Sequence, residues 1–224
     1  DVAWGLGFVL MAWVSFFLSD DPGERGLLVA TLVSIWGFRL AWHIHARNKG
    51  KEEDYRYLAW RNEWGKWFYP RSYIQVYLLQ GMFLFLIVSP VLLINKSTGN
   101  ALGTLDMIGA AVWVLGFCFE AVGDAQLARF VKNPGNTGKL MRSGLWAYTR
   151  HPNYFGEVVQ WWGVWLIALA VPGGWVGVVG PVTITFLILK VSGIPMLEKK
   201  MEEHPEFREY KRRVSVFFPL PPRN

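Results

Sequence analysis

Apolar runs of roughly the length that crosses a bilayer recur along the chain, separated by short polar breaks. Six segments qualify, at about 2–18, 26–46, 72–94, 105–128, 154–171 and 175–192. Asp20-Asp21-Pro22-Gly23 interrupts the first two, Asn95 to Gly103 turns the chain between the third and fourth, and Pro172-Gly173-Gly174 does so between the last two. The expected architecture is an all-α, polytopic helical membrane bundle forming one domain over residues 1–224. The first run starts at Asp1 with no visible signal peptide. A seventh span ahead of it is expected in a full-length protein.

Composition agrees with this pattern. Of 224 residues, 52% are hydrophobic and only 18% charged, against about a quarter in soluble domains, and the 13 Trp suit membrane–water interfaces. The net charge is +6, and its distribution is informative: twenty of the 23 Lys and Arg fall in 47–71, 129–153 and the tail from Lys190. With six spans these three segments share one membrane face, which the positive-inside rule makes cytoplasmic. A bacterial inner membrane is the expected location. Charge clustered beside spans excludes a soluble nucleic-acid binder. The single cysteine, Cys118, excludes an intramolecular disulfide and is expected to be a buried, inert thiol. His43 and His45 lie on opposite sides of a helix, so no metal site is expected.

Four clusters carry candidate chemistry. Gly144-Leu145-Trp146-Ala147-Tyr148-Thr149-Arg150-His151-Pro152-Asn153-Tyr154-Phe155-Gly156-Glu157 stands at the entry to the fifth span, with Pro152 suited to a helix first turn. Asn153 and Glu157 share a helix face, and Glu157 lies about one turn into the membrane, where an ionisable group is costly. On the fourth span Glu120 and Asp124 are spaced by four and face the bundle interior. Asp124 either accepts from a ligand hydroxyl or amide or pairs with Arg150. Arg39, His43 and Arg47 make a stripe on the second span that either binds phosphate or snorkels, with Asn48 beside it. Tyr55 and Arg56, after the acidic Glu52-Glu53-Asp54, are suited to clamping a nucleotide. The tail from Glu198 reads as a helix followed by an amphipathic segment whose Phe207, Tyr210 and Val214 are expected to pack on the membrane surface. No Rossmann fingerprint or P-loop is present, so a nucleotide would need a site of another design.

The pattern Gly-Leu-Trp-x-Tyr-x-Arg-His-Pro-Asn-Tyr-x-Gly-Glu, with Glu198…Pro205-Glu206-Phe207-x-x-Tyr210 and a closing Phe218-Pro219, resembles the membrane steroid 5-alpha-reductase (3-oxo-5-alpha-steroid 4-dehydrogenase) family. Asp1-Val2-Ala3-Trp4-Gly5 and Glu53-Asp54-Tyr55-Arg56-Tyr57 are similar to its bacterial members, so the likeness runs along essentially the whole chain. Sterol reductases and isoprenylcysteine carboxyl methyltransferases share the Arg-His-Pro element, so the motif marks the superfamily better than the reaction.

The resemblance implies NADPH-dependent reduction of a carbon–carbon double bond conjugated to a ketone in a lipophilic, steroid-like substrate entering from the bilayer. It implies that Asn153, Glu157, Asp124 and Arg39 line the cofactor site. Arg47, Asn48, Tyr55, Arg56, Arg150, His151, Glu198 and Tyr210 join them as cofactor-binding candidates, and Tyr154 and Glu157 support the active site. By register with Arg39, Asp1 takes the place of the family's ketone-holding Glu, as acid and substrate contact. Trp36 takes the place of its Tyr, with Trp4 alongside. Trp36 has no phenolic proton, which points to a different enone. The alternatives are an S-adenosylmethionine-dependent membrane methyltransferase and a non-catalytic lipid or sterol binder.

Overall fold

In the computed structural model, residues 2–21, 23–50, 55–97 and 101–223 are described, with backbone only at 55–57 and 59. Among the described residues the regular structure is helical, and the one β-bridge joins Thr149 to Ser215. Among the described residues, four helical stretches are long and apolar enough to cross a membrane: Gly23–Asn48, Trp60–Lys96, Thr104–Lys132 and Gly174–Met201. Val2–Phe17 is a shorter apolar helix. Many large apolar side chains point outward, among them Leu10, Phe17, Phe38 and Met107. Water would penalise that surface, whereas hydrocarbon is its natural solvent. The protein is an integral membrane helical bundle.

The chain divides into two compact units, Asp1–Ala101 and Leu102–Asn224. In the first, α1 (Val2–Phe17) packs on α2 (Gly23–Asn48) through Gly5 and Gly37, where a Cβ on either would meet the other's backbone. Trp13 donates to Ser34 Oγ at 2.8 Å, tying the same pair. Asn95, near the end of α5 (Leu79–Lys96), is buried and donates to Ala12 O and Ser15 Oγ, holding α5 to the end of α1. The basic segment expected over 47–71 is helical in its second half. It is built from α3 (Tyr55–Trp64), α4 (Phe68–Ser72) and a π-helical stretch, Tyr73–Leu78, that runs into α5. The reason is aromatic: Trp60, Trp64 and Phe68 recur every four residues, and the two Trp rings stack at 5.3 Å. Arg61 lies over Phe68 and Arg71 over Trp64, so both cations help cover this stripe.

The second unit is built on the antiparallel pair α6 (Thr104–Lys132) and α7 (Pro152–Ala168). Glycines recur every seven residues on α6 (Gly109, Gly116, Gly123) and on α7 (Gly156, Gly163), in matching antiparallel register. A Cβ at Gly109 would stand 2.6 Å from Gly163 O, and one at Gly116 2.6 Å from Gly156 O. Small residues let the backbones approach this closely, and dispersion contacts then hold helices that gain little from hydrophobicity in lipid. Asp106 starts α6 by accepting from Gly103 N at 2.7 Å. The chain continues through α8 (Val179–Phe186), a π-helical stretch (Leu187–Val191), α9 (Ile194–Met201) and α10 (Phe207–Arg213).

Two expectations are corrected. Cys118 is exposed, because it lies on the outward face of α6 with Val114, Leu115 and Val122; the apolar context is a surface, not a core. Phe207, Tyr210 and Val214 do not lie on a membrane surface. They are buried together against Leu140 and Met201, because the loop after α6 folds back over α10.

The glycine register predicts that Gly116→Val lowers stability in detergent by about 3 kcal/mol, the upper end of typical overpacking costs, read as a fall in Tm. Gly81→Ala, where a Cβ meets nothing within 4 Å, serves as the control and leaves Tm unchanged or slightly raised.

Candidate functional site

Pro152 takes the first position of α7, with His151 as the residue before it. The close approach of α6 brings Asp124 to Asn153, whose Nδ2 donates to Asp124 Oδ1 at 3.1 Å. A carboxylate only accepts, so this bond sets the amide orientation and turns Asn153 Oδ1 away as an acceptor. That oxygen is buried and has no hydrogen-bond partner in the protein. Two turns further along α7, Gln160 donates to Glu120 Oε2 at 2.5 Å, both side chains being buried. Glu157 lies between, half-buried. Thus Asp124, Asn153, Glu120 and Gln160 form one polar seam along α6 and α7. Gln160 was not singled out from sequence. The signal was there, since Asn153, Glu157 and Gln160 follow the i, i+4, i+7 spacing of one helix face.

A second cluster surrounds Arg150. Its Nε donates to Glu198 Oε1 at 2.7 Å, and its Nη1 to the carbonyls of Val214 at 2.6 Å and Lys211 at 3.1 Å. Arg150 is 5% exposed. The guanidinium therefore gathers α9, the end of α10 and the α7 entry. The alternative pairing with Asp124 gives way to Glu198, which α9 delivers to the same place. His151, 1% exposed, places Nε2 3.1 Å from the same Glu198 oxygen and stacks on Tyr154 at 5.7 Å. The tail then straps this loop: Arg150 N donates to Ser215 O, Thr149 Oγ1 to Phe217 O, and Leu220 N to Tyr148 O. Sequence alone did not show this strap, because its bonds are mostly to backbone and leave no side-chain signature.

Tyr210 is buried, and its phenol donates to Trp146 O at 2.5 Å, so its donor is spent inside the fold. Burial pushes this phenol above its ordinary value, although the guanidiniums of Arg150 and Arg142 pull the other way.

The first unit carries the remaining candidates. Trp36 is buried and meets Phe8 edge-to-face at 5.3 Å, and Phe8 meets half-buried Trp4 at 5.1 Å, so one aromatic chain joins two of the three substrate candidates. Arg39 is half-buried on the same helix, whereas Arg47 and Asn48 are exposed and bond each other at 3.4 Å. Asp1 and the side chains of Tyr55 and Arg56 lie outside the described residues.

These features define a polytopic helical membrane protein with a buried, polar-lined constellation at the entry to one of its helices. The chain belongs to the DUF1295 family, described as proteins of unknown function, whose model matches residues 1–214. It is similar to an uncharacterized protein of Schizosaccharomyces pombe, 28% identical over 230 residues, covering 88% of this chain and 64% of that one. It is also similar to 3-oxo-5-alpha-steroid 4-dehydrogenase 1 of Bos taurus, 35% identical over 107 residues, and of Homo sapiens, 33% over 107 residues. Each of these two matches covers 46% of this chain and 39% of the mammalian protein. The chain thus spans less than two thirds of the length of these relatives. No solved structure matches. The resemblance carried by the Arg150-His151-Pro152-Asn153 motif is supported at family level.

Two outcomes follow from this geometry. Arg150→Met takes from Glu198 its buried cationic partner and from two carbonyls their guanidinium donor, and is expected to lower stability by about 3 kcal/mol in a detergent unfolding titration. Tyr210 gives a pH dependence. Its folded pKa lies above the unfolded value near 10, so its contribution is fully present below that pH and is lost as pH rises through the folded value. Wild-type stability should fall on the alkaline side, and Tyr210→Phe, less stable at neutral pH by about 1–2 kcal/mol, should lose less there.

Proposed function

We propose that this protein is an NADPH-dependent reductase of a carbon–carbon double bond conjugated to a ketone, acting on a lipophilic, steroid-like substrate that enters from the bilayer. The observation that carries the proposal is the Asp124–Asn153 pair with its buried, unbonded acceptor. It stands in a chain 35% identical over 107 residues to a protein named 3-oxo-5-alpha-steroid 4-dehydrogenase 1.

The residues fit a nucleotide. Asn153 Oδ1 and His151 Nδ1 are buried without protein partners, and the amide and amine groups of a nicotinamide or adenine are complementary donors. Asp124, Asn153 and Glu157 would hold it, and the resemblance to the reductase family, not a contact in this structure, assigns Arg39, Arg47 and Arg56 to its phosphates. When bound, NADPH supplies hydride to the β-carbon of the enone. The chain's part is to orient the substrate and to meet the charge that develops on the carbonyl oxygen. We assign that second role to Asp1, with Trp4 and Trp36 against the apolar substrate and Tyr154 and Glu157 supporting the site. Arg150, with three donors spent on its own chain, orders the loop. We place six crossings in this chain, with the basic segments on the cytoplasmic face of a bacterial inner membrane.

Thermal unfolding of the detergent-solubilised protein tests the assignment, since a ligand at a hundred times its Kd adds about 2.7 kcal/mol to the native state. NADPH should raise Tm more than NADH, and S-adenosylmethionine should leave it unchanged. Stabilisation by S-adenosylmethionine alone would replace the reductase with a methyltransferase, and stabilisation by none with a lipid binder. Asp124→Ala and Glu157→Ala should each reduce the NADPH shift or the rate of NADPH oxidation on 3-oxo-Δ4 steroids while leaving a cooperative melt. Unchanged values in both variants would remove this site.

A further inference from the structure

We infer that Glu198 is a positioning residue: by pinning Arg150 and His151 through one carboxylate oxygen, it presents the buried Nδ1 of His151 as a hydrogen-bond acceptor for a donor group of the bound ligand. The ligand half of this inference rests on the nucleotide-binding reading above; the positioning half does not.

Glu198 Oε1 lies 2.7 Å from Arg150 Nε and 3.1 Å from His151 Nε2, while Lys211 Nζ stands 3.8 Å from Oε2. A carboxylate in an ion pair has only lone pairs to offer, so the proton on this side of the imidazole belongs to Nε2. We take the ring as the Nε2–H tautomer, in which Nδ1 carries the free lone pair. That atom is buried on a side chain 1% exposed, and no protein group bonds it. Leaving a buried acceptor unpaired costs about 1–3 kcal/mol, so a site that keeps one has a use for it. The ring cannot turn away. It is stacked on Tyr154, its backbone N–H is tied to Thr149 Oγ1 at 3.3 Å, and it precedes Pro152. Glu198 is equally fixed, because the guanidinium on the same oxygen is anchored to the end of α10 through Val214 O and Lys211 O.

The same device occurs one residue beyond Pro152, where Asp124 fixes the amide of Asn153 and leaves Oδ1 as a buried acceptor. In both cases a carboxylate behind the side chain sets its polarity. The two atoms left unbonded are both acceptors. The α7 entry therefore selects N–H or O–H groups, such as a carboxamide or exocyclic amine, and disfavours phosphate, in spite of the adjacent arginine.

The test is nitrogen NMR of full-length protein labelled with 15N-histidine, in micelles, with His151 assigned by its disappearance in His151→Gln. Without ligand, His151 should be locked as the Nε2–H tautomer. Glu198→Leu should release the lock, and Glu198→Gln, whose amide oxygen can still accept from both donors, should keep it. Saturating NADPH should move the Nδ1 resonance. Glu198→Leu should raise the NADPH Kd about tenfold, the worth of one hydrogen bond, and Glu198→Gln less than about threefold. A wild-type ring that is Nδ1–H, mixed or doubly protonated overturns the inference, as does an unmoved His151 signal in protein shown to bind NADPH. The wild-type measurements decide this even where Glu198→Leu fails to fold. If wild type binds no nucleotide, the reductase reading falls, and the tautomer lock alone decides the role of Glu198.

Discussion

The close contact between α6 and α7 is the constraint on which the second unit depends. Helices in lipid gain little from hiding apolar surface from each other, so their association must come from contact itself. Gly109, Gly116, Gly156 and Gly163 bring backbone against backbone with no room for a methyl group. That distance is what lets Asn153 reach Asp124 and Gln160 reach Glu120 directly. A wider separation would leave those polar groups facing hydrocarbon, where an unpaired one costs several kcal/mol. Packing and chemistry are therefore a single design along this seam.

The carboxylates extend the logic. Each buried one is matched to a donor that it also orients: Asp106 to the backbone at the start of α6, Asp124 to Asn153, Glu120 to Gln160, and Glu198 to Arg150 and His151. An acceptor that cannot donate removes the ambiguity of an amide or an imidazole. The atoms left over, Asn153 Oδ1 and His151 Nδ1, are the ones that the proposed function would offer to a ligand. Chemical selectivity then follows from which side of each group the fold has already used.

Much of this was legible in the sequence. Length and hydropathy located the helices, and Pro152 marked the start of α7, because both depend on local pattern. Asp124 stood out as a carboxylate near the end of one span and Asn153 as a polar residue at the entry to the next, and their meeting is what the fold added. The helical continuation through Trp60, Trp64 and Phe68 was hidden by the density of charge there, since cation–π cover lets arginines belong to an aromatic stripe. The exposure of Cys118 and the burial of Phe207 show the same limit from the other side. An apolar run in a membrane protein marks lipid contact as readily as core, and only tertiary packing separates the two. The strap over Thr149 and Arg150 left no trace, because backbone bonds are indifferent to side-chain identity.

The clustered positive charge also acquires a finer meaning. Counted along the chain, the tail and the loop before α7 look like a reservoir of cations for a phosphate. In the fold many of them are already engaged. Arg142 meets Glu206 at 3.3 Å, Lys211 meets Glu202 at 3.1 Å, Arg213 meets Glu209 at 3.5 Å, and Arg150 is consumed by Glu198 and two carbonyls. The exposed pairs contribute little stability one by one, but they lower the field that a ligand would meet. Net charge therefore overstates the electrostatic attraction of these segments. In the proposed function, recognition at the α7 entry would rest instead on a few buried acceptors whose orientation is set from behind, a short-range and directional device that salt screens far less than it screens exposed charge.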